Sequence, residues 1–126
     1  MIHVAIGSEP DQRIAALVLD HTIRTRASRP VEIHWSWDPH GAAWNPMAEG
    51  SRIAGTNFSA WRWLAPRVVR GWAELRFQQP PERLIYLDCD QVVLADIAEL
   101  EAALPADKDV AVVVGAEGNF NGKTPE

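Results

Sequence analysis

The chain has 126 residues, of which 47% are hydrophobic and 23% charged, and its formal net charge is -5. This length predicts one domain with a single core, and the composition is that of a globular protein rather than a disordered one. An acidic balance argues against phosphate neutralisation, so we expect no nucleic-acid partner. The longest apolar run, 14–19, is too short for a transmembrane segment, and the N-terminus lacks a signal-peptide pattern. Together with a single cysteine, which can form no internal disulfide, these features predict a cytoplasmic protein.

The first half of the chain alternates strand and helix patterns. Residues 2–6 form an apolar run typical of a buried strand, and the Gly-Ser-Glu-Pro cluster at 7–10 predicts a turn. A helix is expected from Pro10 or Asp11 until Pro30 stops it, and its apolar residues extend most of the way round, which predicts a helix packed on a sheet. A strand over 31–37 and a loop over 38–57 follow.

The second half repeats this alternation. Thr56 and Asn57 can cap a helix that starts near Phe58 and is kinked by Pro66. The remaining predicted elements are a strand over 83–87, an extended piece over 91–94, a helix over 96–104, a strand over 109–114 and a loop or tail over 115–126. This order predicts an α/β fold in one domain, 1–126, with a mostly parallel sheet and flanking helices.

Polar residues follow two of the predicted strands at the ends where parallel sheets bind ligands. Gly7-Ser8-Glu9 follows the first strand, and Asp88-Cys89-Asp90 follows the strand over 83–87. Residues two apart in an extended segment share a side, so both carboxylates can face one cation, and hard oxygens of this kind suit Mg²⁺ or Mn²⁺. The spacing alone is common, since Asp107 and Asp109 repeat it where no cleft is expected. A turn or helix-capping role is the alternative for Asp88 and Asp90.

Three segments resemble family 8-like glycosyltransferases of the GT-A fold. Residues 84–100 (LIYLDCDQVVLADIAEL) show an apolar strand, the D-x-D, an apolar stretch and an Asp before a helix. Residues 56–66 (TNFSAWRWLAP) resemble the upstream helix of the family, and residues 6–10 (IGSEP) resemble its nucleotide-base loop. They occur in the family's order over nearly the whole chain. The resemblance implies a Rossmann-like nucleotide-diphospho-sugar transferase fold, apparently truncated to its N-terminal donor-binding half.

The resemblance also implies an activity, namely metal-dependent transfer of a hexose from a UDP-sugar to a carbohydrate, lipid or protein acceptor. Asp88 and Asp90 would hold Mn²⁺ or Mg²⁺ against the diphosphate, with the Cys89 backbone near the ribose. Ser59 and Arg62 would face the donor, and Arg62, the candidate catalytic residue, would contact the sugar or orient a site carboxylate. The base pocket would be lined by Ile6, Gly7, Ser8 and Glu9.

The chain departs from the family pattern in two respects. Glu9 stands where an Asp is usual, and family members are considerably longer. All four histidines precede the D-x-D, so the family's later metal-binding His has no counterpart, nor has its second carboxylate site. We therefore expect the isolated chain to be poorly active or inactive, and to be a fragment, a self-associating half or a half-domain completed by a partner chain.

Two other functions stay open at this point. One is a non-catalytic or split nucleotide-sugar-binding module. The other is a HAD-type phosphohydrolase, because Asp88, Asp90 and Val92 also resemble its nucleophile motif. That enzyme needs later Ser/Thr, Lys and acidic residues, which the 36 residues after Asp90 cannot supply, and Gln91 replaces its usual Gly.

The tryptophans and the single cysteine also allow predictions of their roles. Six tryptophans against one tyrosine is a strong bias, and such rings can line a core, a cleft or an interface. We expect Trp61 and Trp63 to be packing residues. Cys89 lies between two carboxylates, which disfavour its thiolate, so we do not expect it to be a nucleophile.

Overall fold

A three-stranded parallel sheet lies at the centre of the protein in the computed structural model, which describes residues 1–48 and 60–108. In chain order the elements are β1 (Ile2–Gly7), α1 (Arg13–Arg26), β2 (Val31–Trp35), β3 (Trp37–Asp38), β4 (Ala43–Trp44), α2 (Trp61–Phe77), β5 (Ile85–Asp88) and α3 (Ile97–Ala103). The sheet order is β2-β1-β5, and β3 and β4 form a separate antiparallel hairpin. The predicted α/β class with a parallel sheet is confirmed, and the sheet resembles a Rossmann-like sheet in outline.

Helices cover both faces of the sheet. Successive residues of β1 point to opposite sides, so burying all of them requires a helix on each face. All six residues of β1 are buried. On one face a core cluster combines strand, α1 and α3 residues: Ile2, Val4, Ile6, Ala16, Leu19, Ile23, Ile85 and Ile97. On the other face Ala5 packs with Trp61 and Ala65 of α2. The central strand is thus enclosed between α1 and α2.

Helix α1 is buried on one side only. It follows a short 3-10 turn over Pro10–Gln12 and ends at Arg26, before Pro30 is reached. The predicted packing of this helix on the sheet is confirmed by the core cluster. The expectation that it does not lie half in water is wrong, since Ile14 is 80% and Val18 44% exposed. At 3.6 residues per turn, Ile14 and Val18 fall opposite the stripe that meets the sheet.

The predicted strand over 31–37 is interrupted at Ser36. The Ser36 N–H donates to the Ile6 carbonyl at 3.0 Å, after which the chain leaves the sheet and enters the β3–β4 hairpin. Part of the predicted loop over 38–57 is therefore a two-stranded ribbon. Residues 91–94, expected to be extended, form no strand with any described residue.

Helix α2 runs through Pro66 without a break. Its buried residues Trp61, Ala65, Val69 and Ala73 recur at helical spacing and face the sheet. The helix start near Phe58, its capping pair Thr56-Asn57, the strand over 109–114 and the tail over 115–126 lie outside the described residues. None of the helices in residues 1–48 and 60–108 has the length and apolar character needed to span a membrane.

Candidate functional site at the carboxyl edge of the sheet

The carboxyl ends of β1 and β5 lie side by side. In the parallel register of these strands, Gly7 pairs with Asp88. Because β2 lies on the other side of β1, the chain crosses over β1 between β2 and β5. A crevice at such a switch point is where open α/β sheets bind ligands. The structure therefore brings together the two segments, 7–9 and 88–90, that the sequence placed at strand ends.

Arg62, Tyr86 and Asp88 form a connected group at this edge. The Tyr86 hydroxyl donates to Asp88 Oδ1 at 3.1 Å, and Arg62 Nη2 donates to the same oxygen at 3.4 Å. The Arg62 guanidinium also lies over the Tyr86 ring, 5.5 Å from its centroid. Tyr86 and Asp88 are two apart on β5 and share a face, the face that α2 covers. Arg62, on the first turn of α2, is thereby placed beside the Asp88 carboxylate.

Tyr86 is held in its protonated form. Burial, followed by the charge of Asp88 and the hydrogen bond to it, raises the pKa of Tyr86 well above its usual range, and the Arg62 cation opposes this only in part. Removing the proton would place a phenolate beside a carboxylate in a half-buried position. The hydroxyl is therefore a hydrogen-bond donor to Asp88 throughout the neutral range. Sequence analysis missed Tyr86, although its position two residues before Asp88 was a usable signal.

Gln91 and Gln12 are two further residues that sequence analysis missed. Gln91 Oε1 accepts from the Asp88 N–H at 3.2 Å, and the Gln91 N–H donates to the Asp88 carbonyl at 3.3 Å, which closes a turn around the D-x-D. Gln12, at the end of the turn after β1, accepts from the Cys89 thiol at 3.2 Å. The side chain of Asp90 is exposed.

Cys89 is a buried thiol with a raised pKa. Burial first, and then the charge of Asp90, raises the pKa of Cys89 to about 11. Such a thiol stays protonated at neutral pH and lacks the thiolate needed for attack. The flanking carboxylates act in the expected direction, but burial is the larger cause.

Ser8 and Ser36 tie the loop after β1 to the end of β2. The Ser8 N–H donates to Ser36 Oγ at 2.8 Å, and Ser36 Oγ donates to the Ser8 carbonyl at 2.8 Å. The Ser8 hydroxyl donates to the Trp37 carbonyl at 2.6 Å. Ser8 and Ile6 are fully buried, so their side chains support the loop and do not line an open pocket. Of the four predicted base-pocket residues, Glu9 is the one that is partly exposed, and Ser59 lies outside the described residues.

Replacing Ser36 with alanine is expected to lower the free energy of unfolding by about 1–2 kcal/mol, because two buried backbone groups of Ser8 lose their partners. Urea unfolding of both proteins measures this. Thr25→Val removes a hydroxyl that bonds the His21 carbonyl on the exposed side of α1, and should change stability by less than about 0.5 kcal/mol. Equal effects of the two substitutions would contradict a structural role for Ser36.

The residues at this edge include two hard oxygen donors, Asp88 and Asp90, of the kind that a divalent ion bound to phosphate takes. The Asp88 side chain is 43% exposed and the Asp90 side chain is exposed, so both carboxylates are accessible. Across residues 1–48 and 60–108, no three His, Cys, Asp or Glu side chains converge as a metal-binding group. Mg²⁺ commonly takes one or two carboxylates and completes its coordination with substrate phosphates and water. Asp88 and Asp90 fit that pattern rather than that of a metal held by protein alone.

A cavity of about 780 Å³ lies at the opposite, amino end of the sheet. Its walls include His3, Arg29, Phe77, Arg83 and Glu101. Arg29 pairs with the Glu101 carboxylate, and Arg83 Nη1 donates to the Glu101 carbonyl at 2.6 Å. These contacts join the loop after α1 and the start of β5 to α3. No residue predicted to carry the chemistry lines this cavity.

Comparison with known proteins finds a curated relative that matches most of this chain. No family model matches the chain, and no solved structure matches it. The chain is similar to Protein CDI of Arabidopsis thaliana, with 32% identity over 103 residues that cover 77% of this chain and 34% of that protein. The chain thus spans about a third of the length of the relative it matches.

Proposed function

We propose that the chain is the donor-binding part of a metal-dependent glycosyltransferase of the GT-A fold, which transfers a hexose from a UDP-sugar to an acceptor. The observation that carries this proposal is the pairing of Gly7 with Asp88 at the switch point of the sheet. It sets the loop resembling a base-binding loop beside the D-x-D. The contact from Arg62 to Asp88 adds the third segment of the resemblance to the same edge.

In this proposal each residue at the edge has a separate role in binding the donor. Asp88 and Asp90 would hold Mn²⁺ or Mg²⁺, which, when bound, stabilises the negative charge on the leaving diphosphate. Arg62 orients the Asp88 carboxylate and adds a positive charge where phosphate oxygens would lie. Gln91 closes the turn that presents the carboxylates. In the loop over 7–9, which Ser36 holds through Ser8, Glu9 is the residue that would meet the base.

A donor-binding module without catalysis is the second candidate. It is favoured by the two accessible carboxylates, Asp88 and Asp90, because such a pair is enough to hold an ion that a nucleotide diphosphate also binds. The two functions share the donor site and differ in the acceptor side. Release of UDP in the presence of acceptors would refute the non-catalytic module. Its absence from the isolated chain is expected of both functions, because the donor-binding part by itself is expected to be poorly active.

Calorimetric titration of UDP with and without Mn²⁺ tests the donor site. We expect UDP to bind more tightly with Mn²⁺, and Asp88→Asn/Asp90→Asn to weaken the Mn²⁺-dependent binding by about tenfold or more, since both carboxylates would hold the ion. Asp107→Asn/Asp109→Asn is the matched control, because it changes a second D-x-D of the same spacing. Binding that is insensitive to Mn²⁺, or lost equally in both double variants, would contradict the proposal.

A further inference from the structure

The two oxygens of the Asp88 carboxylate are in different environments. Both donors that reach this carboxylate, the Tyr86 hydroxyl and Arg62 Nη2, bond to Oδ1. From the described residues, Oδ2 accepts no hydrogen bond. An oxygen that already accepts two hydrogen bonds has fewer lone pairs to offer a cation. Among residues 1–48 and 60–108, Asp88 therefore has one oxygen, Oδ2, that no donor occupies and that can serve as its ligand atom.

Tyr86 is the better fixed of the two donors. Tyr86 is the register partner of Ala5 on the central strand, and its ring packs against the core cluster that contains Ala5 and Trp61. Its contact with Oδ1 is 3.1 Å. The contact from Arg62 is longer, 3.4 Å, and comes from a side chain that is 48% exposed. The direction of the Asp88 carboxylate thus depends mainly on a half-buried phenol that cannot turn away without disturbing its packing.

Cations differ in what they demand of a carboxylate. Ca²⁺ takes six to eight oxygens in a flexible arrangement and often binds both oxygens of one carboxylate. Mg²⁺ requires a near-octahedral arrangement at shorter distances and usually takes one oxygen from each of one or two carboxylates. A carboxylate with one oxygen occupied by fixed donors therefore suits Mg²⁺ and disfavours Ca²⁺.

We propose that Tyr86 is a positioning residue that makes Asp88 a one-oxygen ligand and so sets the preference of this edge for Mn²⁺ or Mg²⁺ over Ca²⁺. The inference rests on the proposed function, because it requires that Asp88 binds the ion. It adds a residue outside the D-x-D and a property, cation selectivity, that the two carboxylates by themselves do not determine.

The test compares Tyr86→Phe with the unmodified chain. UDP is titrated in the presence of Mn²⁺ and, separately, of Ca²⁺, and the ratio of the two affinities is the readout. We expect this ratio to fall by about tenfold in Tyr86→Phe, the scale on which residues behind metal ligands act, because Oδ1 is freed for two-oxygen binding. Thr25→Val, which removes a hydroxyl from α1, should leave the ratio unchanged. A purely structural role for Tyr86 would weaken both affinities alike and leave the ratio unchanged, which would overturn the inference.

A second measurement locates the ion. Tyr86 is the chain's one tyrosine, so fluorotyrosine incorporation gives a single fluorine signal. Paramagnetic Mn²⁺ bound with UDP at Asp88 should broaden that signal, and Asp88→Asn/Asp90→Asn should restore it. Binding of UDP with Mn²⁺ without broadening would overturn the inference.

The outcomes separate the inference from the proposed function. If the double Asp variant loses Mn²⁺-dependent UDP binding while Tyr86→Phe keeps the Mn²⁺ to Ca²⁺ ratio, the role of Tyr86 is refuted and the donor site stands. If the unmodified chain binds no UDP with either ion, both are refuted.

Discussion

Replacing Trp61 with alanine is expected to lower the free energy of unfolding by about 3–5 kcal/mol, the cost of removing a large aromatic side chain from a core. Trp61 is fully buried at the start of α2, and it packs with Ala5, Ala48 and Ala65. The other buried residues of this cluster are alanines, which cannot extend into the space that the indole leaves. Chemical denaturation with tryptophan fluorescence or circular dichroism measures the loss.

Trp63 supplies the matched control for Trp61. The two residues are two positions apart on α2, yet Trp63 is 77% exposed. Trp63→Ala should therefore change stability by no more than about 0.5 kcal/mol. Similar losses in the two variants would show that α2 presents a different face to the sheet from the one described.

Acidification from pH 6.5 to 4 is expected to remove about 1–2 kcal/mol of stability through the part-buried pair His3 and His34, less than the full pKa shift of His34 implies because solvent partly screens its imidazole. His3 Nδ1 and His34 Nε2 are 3.0 Å apart, and the Trp72 ring meets both imidazoles edge to face. Burial first, and then the proximity of His3, lowers the pKa of His34 to about 4 from its usual 6.5. Burial also lowers the pKa of His3, so both groups act in the same direction.

The sign follows from proton uptake. Between pH 6.5 and 4 the unfolded chain binds protons that the folded pair resists, so stability is complete above pH 6.5 and falls as the pH drops towards 4. A hydrogen bond from Ser28 lowers the pKa of Asp96, and its contribution is lost only below its usual 3.8, outside this window.

Urea unfolding at a series of pH values measures the effect of the histidine pair. His34→Gln should flatten the dependence between pH 6.5 and 4, because glutamine does not titrate and can still bond to His3. His21→Gln removes an exposed imidazole from α1 and is the control. An unchanged pH dependence in His34→Gln would show that the pair is not the origin of the acid sensitivity.

The candidate site shows where local pattern suffices and where it does not. Strand runs at 2–6 and 83–87 identified Gly7 and Asp88 as strand-end residues, because alternation of strands and helices implies a parallel sheet whose strand ends meet at one edge. No pattern indicated that β1 and β5 are neighbours. Gln12 was missed for the same reason, since it contacts Cys89 of a distant segment. Tyr86 and Gln91 contact Asp88 within their own segment, so their spacing from Asp88 was a usable local signal.

The tryptophans of α2 show that the sequence pattern of one helix does not determine which of its residues face the sheet. Both Trp61 and Trp63 were predicted to be packing residues, which is confirmed for Trp61 and wrong for Trp63. Two residues apart on a helix lie on nearly opposite sides, so only one of them can face the sheet. Which one does so is set by the way that the whole helix docks.

The sequence by itself determined the α/β class, the parallel sheet and the placement of the two polar segments at strand ends, because hydrophobic period and turn residues act locally. Tertiary structure alone decided the strand order β2-β1-β5, the pairing of Gly7 with Asp88, and the contact of Arg62 with Asp88. These depend on contacts between residues far apart in the chain. Their geometry arises from how helices and strands pack into one core, which no local window of sequence contains.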